Sequence, residues 1–241
     1  MKIYALLFSL ASASVACAQT TEPSRLYTKS YFASASELIL SAGDLGNVAI
    51  SSPVNQLFVL GPQYDAKTIP RFSAFFHFGE QFHFNFSNSL GFYTGIGLRN
   101  LGMINRINDS LKVKQRVYSL GVPLAFKLGN MGRRSYIALG AEAEFFFHYK
   151  QKVFKGTSGR GEKIDKMDEW LSNRTNLFNP SVFLELHFSK GTYMRLRYYL
   201  NDFLIPGNQS VRLNGADHSF TNERSTLFAL SVGKILKKKK S

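Results

Sequence analysis

Five histidines are the side chains of this 241-residue chain best suited to acid–base or metal chemistry. They are His77, His83, His148, His187 and His218. A serine hydrolase needs a serine, a histidine and a carboxylate that converge, but the chain has no G-x-S-x-G motif and no serine that stands out beside a histidine. The spacing of His77 and His83 matches no recognised metal site. The sequence therefore predicts no catalytic residue, no metal ligand and no cofactor, and we expect that the protein is not an enzyme.

Acidic and basic side chains on the polar face of several predicted strands form a second set of groups. If the turn at 189–191 is a hairpin, Glu185 lies opposite Arg195, and Phe183 lies opposite Arg197. An unpaired charge in a dry interior is very costly, so we predict a glutamate–arginine network that fills the interior. The alternative is that these charges line a small water-filled channel. The predicted network consists of Glu142, Glu144, Glu185, Arg195, Arg197 and Arg99.

The segment 71–86, with the sequence RFSAFFHFGEQFHFNF, is the element that best accounts for two such different faces. Successive side chains of a strand point to opposite faces, so one face is nearly all phenylalanine and the other is mostly polar. At about 3.3 Å per residue this segment would span roughly 50 Å, whereas a strand of a soluble protein has about 5–6 residues. Its length and its faces therefore predict a tilted strand that crosses a bilayer.

Eight segments show this alternation. They are residues 37–44, 71–86, 91–104, 113–128, 135–150, 181–188, 192–204 and 223–236. The turns at 87–89, 129–133 and 189–191 are short, the segment 105–111 is a modest loop, and the connections 46–70, 151–179 and 205–222 are long. The short turns fall at one end and the long loops at the other, as in outer-membrane barrels. The predicted fold is all-β, an eight-stranded antiparallel transmembrane β-barrel over residues 37–236.

The direction of the apolar face separates two alternatives. A soluble β-barrel or sandwich would bury that face, whereas a membrane barrel turns it toward lipid. The long strands, the density of aromatic residues and an export signal favour the membrane barrel. The phenylalanines predicted to face lipid are Phe72, Phe76, Phe78, Phe82, Phe84, Phe126, Phe145, Phe147 and Phe228.

Three positions test this pattern of alternation. Tyr149 continues the apolar face of its strand and is expected to point outward. Pro123 lies inside a predicted strand, where we expect a bulge or a missing ladder bond. Glu80 lies on the phenylalanine face, and we expect a bulge there or a position near the periplasmic rim.

The amino terminus has the pattern of an export signal. Lys2 precedes an apolar core, and Ala16-Cys17-Ala18 ends in an A-x-A motif, which predicts a signal peptide over 1–18 that is cleaved after Ala18. The alternatives are an uncleaved anchor and a lipoprotein with Cys17 lipidated. Residues 19–36 are expected to be a periplasmic lead-in, and residues 237–241 a basic tail. The mature chain would contain no cysteine and therefore no disulfide.

The formal net charge of +14 bears on the partners of the protein. Strongly basic chains often bind nucleic acid, but an exported protein does not meet it. We expect instead that the basic residues face anionic lipid head groups. The expected partners are outer-membrane lipids and the barrel assembly machinery, with no nucleic acid. The protein is expected to be a monomer, and its extracellular or envelope partner is unknown.

The chain resembles the small outer-membrane β-barrel proteins common in Bacteroidota, which have the size of OmpA- and OmpX-type barrels. The resemblance is carried by Ala16-Cys17-Ala18-Gln19, by GFYTGIGL at 91–98 and by VYSLGVPLAF at 117–126. It implies an outer-membrane location with both termini in the periplasm, and a structural or binding role with the long loops outward. A narrow channel for small solutes and a lipid-modifying enzyme are the alternatives.

Overall fold

The computed structural model describes residues 27–51, 63–75, 77–156, 161–213 and 216–237. These residues form strands and no helix, so the described chain holds no helix that could span a membrane. The predicted signal peptide, residues 19–26 of the predicted lead-in, residues 238–241 of the predicted tail and Phe76 lie outside the described residues. The strands are β1 (Ser30–Asp44), β2 (Asn47–Ser51), β3 (Gln63–Asp65), β4 (Lys67–Ile69), β5 (Arg71–Ser73), β6 (Phe78–Asn85), β7 (Leu90–Asn108), β8 (Leu111–Asn130), β9 (Ser135–Lys155), β10 (Glu162–Trp170), β11 (Ser181–His187), β12 (Thr192–Tyr199), β13 (Gln209–Leu213), β14 (Ala216–Asn222) and β15 (Thr226–Lys237).

Eight of these strands form a closed ring. Their order is β9, β11, β12, β15, β1, β6, β7 and β8, and β8 pairs again with β9. Every pair in the ring is antiparallel. A ring of this kind leaves no strand edge unpaired within the wall, and the predicted fold, an eight-stranded antiparallel transmembrane β-barrel, is confirmed.

Large apolar side chains cover the outer surface of the ring. Each of the eight strands contributes at least one that is exposed, as with Phe126 (66% exposed), Leu139 (65%) and Leu196 (56%). The described members of the predicted lipid-facing set are exposed or half-buried on this surface. They are Phe72, Phe78, Phe82, Phe84, Phe126, Phe145, Phe147 and Phe228. The surface therefore has the polarity of a protein interior.

The predicted strand 71–86 is interrupted in the middle. Both β5 and β6 pair with β1, but residues 74–77 lie opposite only Glu37 and Leu38. The register shifts by an even number of residues, so Phe72 and Phe78 still share the outer face. His77 keeps the inward position that alternation predicts and is 5% exposed, whereas Phe75, in phase with it, is 76% exposed.

A second irregularity changes which side chains enter the barrel. Tyr118 pairs with His148 and Ser119 pairs with Phe146, which leaves Phe147 as an extra residue in β9. Beyond this bulge the two faces exchange, and Tyr149 is buried at 1% exposure. The prediction of an outward Tyr149 was wrong, because alternation predicts a face only while the register is unbroken.

Pro123 and Glu80 cause no shift in register. The pairing of β7 with β8 skips Gly95 and Ile96, which lie opposite Pro123 and Val122, and then resumes in the same register. This confirms a missing ladder bond, since proline has no N–H to donate. Glu80 pairs regularly with Ile96 and Ser34, so the bulge expected there is not formed.

Several predicted boundaries were wrong. β9 continues to Lys155, β12 ends at Tyr199 and not at 204, and β15 includes Lys237 of the predicted tail. β1 begins at Ser30, so the last part of the predicted lead-in, 19–36, belongs to the wall. The predicted loop 105–111 is instead the tip of a hairpin, because β7 continues to Asn108 and β8 begins at Leu111. Asn105 and Ile107 remain buried on the inner face there, with Arg106 exposed between them. Polar residues at this position suit a wall that continues beyond the bilayer.

The three long connections are partly folded. Those after β1 and before β15 supply a second sheet, in the order β13–β14–β2–β3, and β10 pairs with β9 as an added outer strand. An apolar core lies at this end of the barrel, where Leu101, Val117 and Phe146 of the wall pack with Phe203 and Phe220 of the connections. The connections therefore cover the end opposite the short turns.

Candidate functional site in the barrel interior

Seven charged side chains meet inside the ring, each no more than 8% exposed. They include all six residues of the predicted network, and Glu37 joins them from β1. Strand alternation points them inward, and the curvature of the ring brings five strands to one place. The full set is Glu37, Arg99, Glu142, Glu144, Glu185, Arg195 and Arg197.

Arg99 links two strands on opposite sides of the ring. Its Nε donates to Glu37 Oε1 at 2.7 Å, and its Nη1 donates to Glu142 Oε1. The second oxygen of Glu142 accepts from Arg197 Nη2 at 2.8 Å. Glu142 therefore has a separate guanidinium at each oxygen, which is the strong, charge-assisted form of hydrogen bond.

Glu144 lies one inward position further along β9. Its Oε1 accepts from the Tyr199 hydroxyl at 2.8 Å and lies 3.6 Å from Arg197 Nε. Its Oε2 accepts from the Ser119 hydroxyl at 2.8 Å. Neutral donors thus contribute as much as charge to holding this carboxylate.

The predicted hairpin pair Glu185 and Arg195 lies directly cross-strand, as expected. Arg195 Nη2 is 2.6 Å from Glu185 Oε2, and the same oxygen accepts from the Tyr93 hydroxyl at 3.2 Å. The guanidinium also lies over the ring of Phe183, 4.7 Å from its centroid. Phe183 pairs with Arg197 in the same hairpin, again in the predicted register.

Glycines on the inner face make room for these groups. A Cβ added at Gly121 would overlap Glu142 Oε1 and come within 2.8 Å of Arg99 Nη1. A Cβ at Gly140 would lie 2.7 Å from the ring of Phe183. A larger residue at Gly121 would displace the ion pair of Glu142 and Arg99, and one at Gly140 would collide with the ring of Phe183 and the backbone of Leu124.

Sequence reasoning missed several members of the site. Glu37 had a signal, because it lies on the face of β1 opposite Leu38. Tyr93 and Tyr199 alternate in phase with Arg99 and Arg197 and so had the same signal, but a tyrosine suits a lipid interface as well as a polar interior.

Polar and apolar layers close the interior on both sides of the ion network. Toward the short turns, Lys127 Nζ donates to Asn85 Oδ1 at 2.6 Å and lies 3.3 Å from His83 Nδ1, while His83 stacks on Tyr31. Toward the long connections lies the apolar core that includes Phe203. A cavity of about 10 Å³ remains beside Arg99 and is lined by residues of the network, which is the space of about one water molecule.

One serine and one histidine do meet inside the barrel. His77 Nε2 is 2.8 Å from Ser73 Oγ, and its Nδ1 accepts the backbone N–H of Asn100 at 3.2 Å. The ring proton is therefore on Nε2 and points at the serine, whereas a general base must present a free lone pair there. No group of three or more potential metal ligands occurs among the described residues.

The outer hairpin β9–β10 carries a more exposed ion cluster. Asp168 Oδ2 accepts from Lys150 Nζ at 2.6 Å, and its Oδ1 is 2.5 Å from His148 Nε2. The hydrogen bond from Lys150 is the main reason that the pKa of Asp168 lies below its ordinary value. Trp170 lies next to this cluster, with its ring 4.6 Å from that of His148.

No protein-family model matches the chain, and no curated protein matches it. Solved structures do match. Ail, the attachment invasion locus protein of Yersinia pestis, determined in complex with the heparin analogue sucrose octasulfate, is 12% identical with a TM-score of 0.32, over 85% of this chain and 99% of that chain. The outer membrane protein OprG from Pseudomonas aeruginosa is 9% identical with a TM-score of 0.42, over 90% and 100%. The outer membrane protein AlkL in lipid bilayers is 14% identical with a TM-score of 0.41, over 92% and 98%. At these values the likeness says nothing about the function of this chain.

Proposed function

We propose that this protein is an outer-membrane β-barrel with a structural or binding role, a plugged lumen and long connections that face outward. The observation that carries the proposal is the inverted polarity of the ring. The seven charged side chains of the network, together with Arg71 and Lys127, are buried inside it, while large apolar side chains are exposed on all eight strands. Monomeric soluble proteins rarely expose a contiguous apolar surface of this extent, and a bilayer is the solvent that such a surface fits.

The paired charges support a plug over a channel. The carboxylates of the network have guanidinium or hydroxyl partners within hydrogen-bond distance, and the cavity beside Arg99 is about the size of one water molecule. The alternative, a narrow channel for small solutes, needs a continuous water-filled path through the interior. Current through planar bilayers is the measurement. We expect no stepwise conductance from the wild-type protein, and stable steps would reject the plug.

The inward Ser73–His77 pair supports a role without catalysis. The protonated nitrogen of His77 faces the serine, so the pair is not arranged as nucleophile and base. The alternative of a lipid-modifying enzyme predicts a change in lipid A structure when the gene is deleted. We expect identical lipid A mass spectra with and without the gene.

The location is tested by heat modifiability. A folded barrel in detergent migrates differently on a gel before and after boiling, and we expect such a shift from outer-membrane fractions. Cleavage after Ala18, periplasmic termini, a monomeric state and delivery by the barrel assembly machinery belong to the same proposal. A protein that is found in the soluble periplasmic fraction, without a heat-dependent shift, would contradict it.

A further inference from the structure

The strands β8 and β9 continue well beyond the apolar band. On the outer face of β8, apolar and aromatic side chains run from Leu128 to Tyr118. These ten steps cover about 33 Å along the strand at about 3.3 Å per residue, or about 25 Å along the membrane normal at a tilt of about 40°. That is the height of the lipid-facing band of an outer-membrane barrel. The next outward positions on β8 are Arg116 and Lys114.

Basic side chains occupy the outer face of the wall above this band. We call them the basic face, and they are Lys114, Arg116, Lys150, Lys152 and Lys166. Lys114 pairs directly with Lys152, and Lys152 pairs on its other side with Lys166. Arg116 pairs with Lys150. Directly opposed side chains on one face have Cβ atoms about 4.5–5.5 Å apart, and like charges at that distance destabilise a sheet.

The protein supplies little counter-charge at this place. Asp168 neutralises Lys150 and lies 3.6 Å from Lys166. In the part of the chain that the structure describes, no carboxylate lies within 4.0 Å of Lys114, Arg116 or Lys152. Three like charges on neighbouring strands therefore have no carboxylate partner among the described residues, which is the arrangement that an external anion would relieve.

The height of the basic face above the apolar band indicates which kind of anion binds there. Successive outward positions rise by about 5 Å along the normal at the same spacing and tilt, so Arg116 and Lys114 lie about 5 and 10 Å above Tyr118. The polar head-group layer of a bilayer is about 5–8 Å thick on each side, so Arg116 lies within it and Lys114 lies just above it, from where its long side chain can reach down. Tyr118, Phe147 and Trp170 lie at the boundary, where aromatic side chains are typical of membrane interfaces.

We propose that the basic face binds the phosphorylated head groups of outer-leaflet lipids, an inference that rests on the proposed function because that function places β8 and β9 in the outer membrane. Lys114, Arg116 and Lys152 bind the phosphates, while the apolar band below them contacts the acyl chains of the same lipid. This continuity with the apolar band distinguishes a lipid from a soluble polyanion, which would touch only the charges.

Native mass spectrometry of the full mature protein, released from detergent micelles, tests the inference. The probes are bisphosphorylated lipid A, the dephosphorylated lipid with the same acyl chains, and dextran sulfate as a soluble polyanion. Each lysine near an anionic surface contributes about a factor of five to binding. We therefore expect K114Q/K152Q to bind the bisphosphorylated lipid about thirtyfold more weakly than the wild type.

The control variant is K190Q/K234Q, which removes the same charge at the opposite end of the barrel and should bind as the wild type does. Equal binding of the two phosphorylation states, or equal loss in both variants, would overturn the inference. So would wild-type binding to dextran sulfate without any preference for the phosphorylated lipid. Wild-type binding must also weaken as salt rises, and this measurement does not depend on how a variant folds.

The heat-dependent gel shift separates the two proposals. A wild-type protein that lacks the shift would contradict the barrel in the outer membrane itself. A protein that shows the shift but does not prefer phosphorylated lipid contradicts only the binding of head groups.

Discussion

The buried arginines show how a barrel interior can be polar and dry at once. Arg99, Arg195 and Arg197 are each no more than 5% exposed, and removing such a charge from water is expensive. Carboxylates from other strands surround them, so each arginine holds two parts of the wall together. Pairs of this kind add little net stability compared with an apolar core, but loss of one partner leaves a buried charge unpaired.

Arg195→Ala should therefore destabilise the barrel by about 3–5 kcal/mol, because it leaves Glu185 without its guanidinium. The measurement is unfolding in denaturant from detergent micelles, followed by tryptophan fluorescence. Lys190→Ala, in an exposed turn, is the control and should cost less than about 1 kcal/mol. Equal unfolding midpoints for the two variants would mean that the network is loosely hydrated.

Asp168, which is partly exposed, makes the stability of the folded state depend on pH. Its pKa is lowered, chiefly by the hydrogen bond from Lys150. A carboxyl with a lowered pKa in the folded state stabilises that state above its ordinary pKa of about 3.9, and the effect is lost as the pH falls through the lowered value. Because the side chain is 35% exposed, solvent screens much of this effect.

Fluorescence of Trp170, the only tryptophan of the chain, should report this titration. We expect an acid transition with a midpoint below about 3.9 in the wild type and none in Asp168→Asn. A wild-type midpoint at or above that value, or the same transition in the variant, would contradict the pairing of Asp168 with Lys150.

At the scale of elements, small irregularities decide what each strand presents to the interior. The extra residue Phe147 turns Tyr149 inward, and the interruption between β5 and β6 leaves Phe75 exposed although it alternates in phase with the buried Ser73 and His77. Glycines in the wall act in the same way, since they leave space that the network occupies. Such features change a face without changing the order of the strands.

Gly121→Val should break the ion pair between Arg99 of β7 and Glu142 of β9, because the valine side chain would occupy the space of both groups. Overpacking of this kind costs about 1–3 kcal/mol, and a displaced buried ion pair adds to that cost. Denaturant unfolding measures the effect. Leu120→Val, one residue away on the outer face, is the control and should be nearly neutral. A neutral Gly121→Val would show that the interior has room to spare.

At the scale of the whole molecule, the interior is layered along the barrel axis. A basic and aromatic layer around Lys127 lies toward the short turns, the ion network lies in the middle, and an apolar core lies under the folded connections. The outer surface is layered too, with an apolar band below the basic face. The apolar core and the basic face lie at the same end of the barrel, opposite the short turns.

The middle layer should control permeation. In the variant Arg99→Ala/Arg197→Ala the side chains that span the interior are gone, and the carboxylates left behind attract water and cations. We expect cation-selective conductance in planar bilayers, which the wild type lacks. Arg106→Ala, on the outer face of the same β7, is the control and should remain silent. A silent double variant would mean that the end layers alone seal the barrel.

The sequence predicted the eight strands of the wall and their antiparallel order. It also predicted that the short turns share one end of the barrel and that the six charged residues point inward. They depend on alternation and on turn chemistry, which are local properties of the chain. The opposition of Glu185 and Arg195 followed as well, because a short hairpin sets its own register.

The tertiary structure alone decided which of these residues touch. Arg99 meets Glu37 and Glu142 only because the ring closes and brings together strands that are far apart in sequence. The bulge at Phe147, the interruption before β6 and the folding of the connections over the barrel end also depend on contacts between distant segments. A single sequence holds no local signal for such contacts, because their energy exists only after the wall has closed.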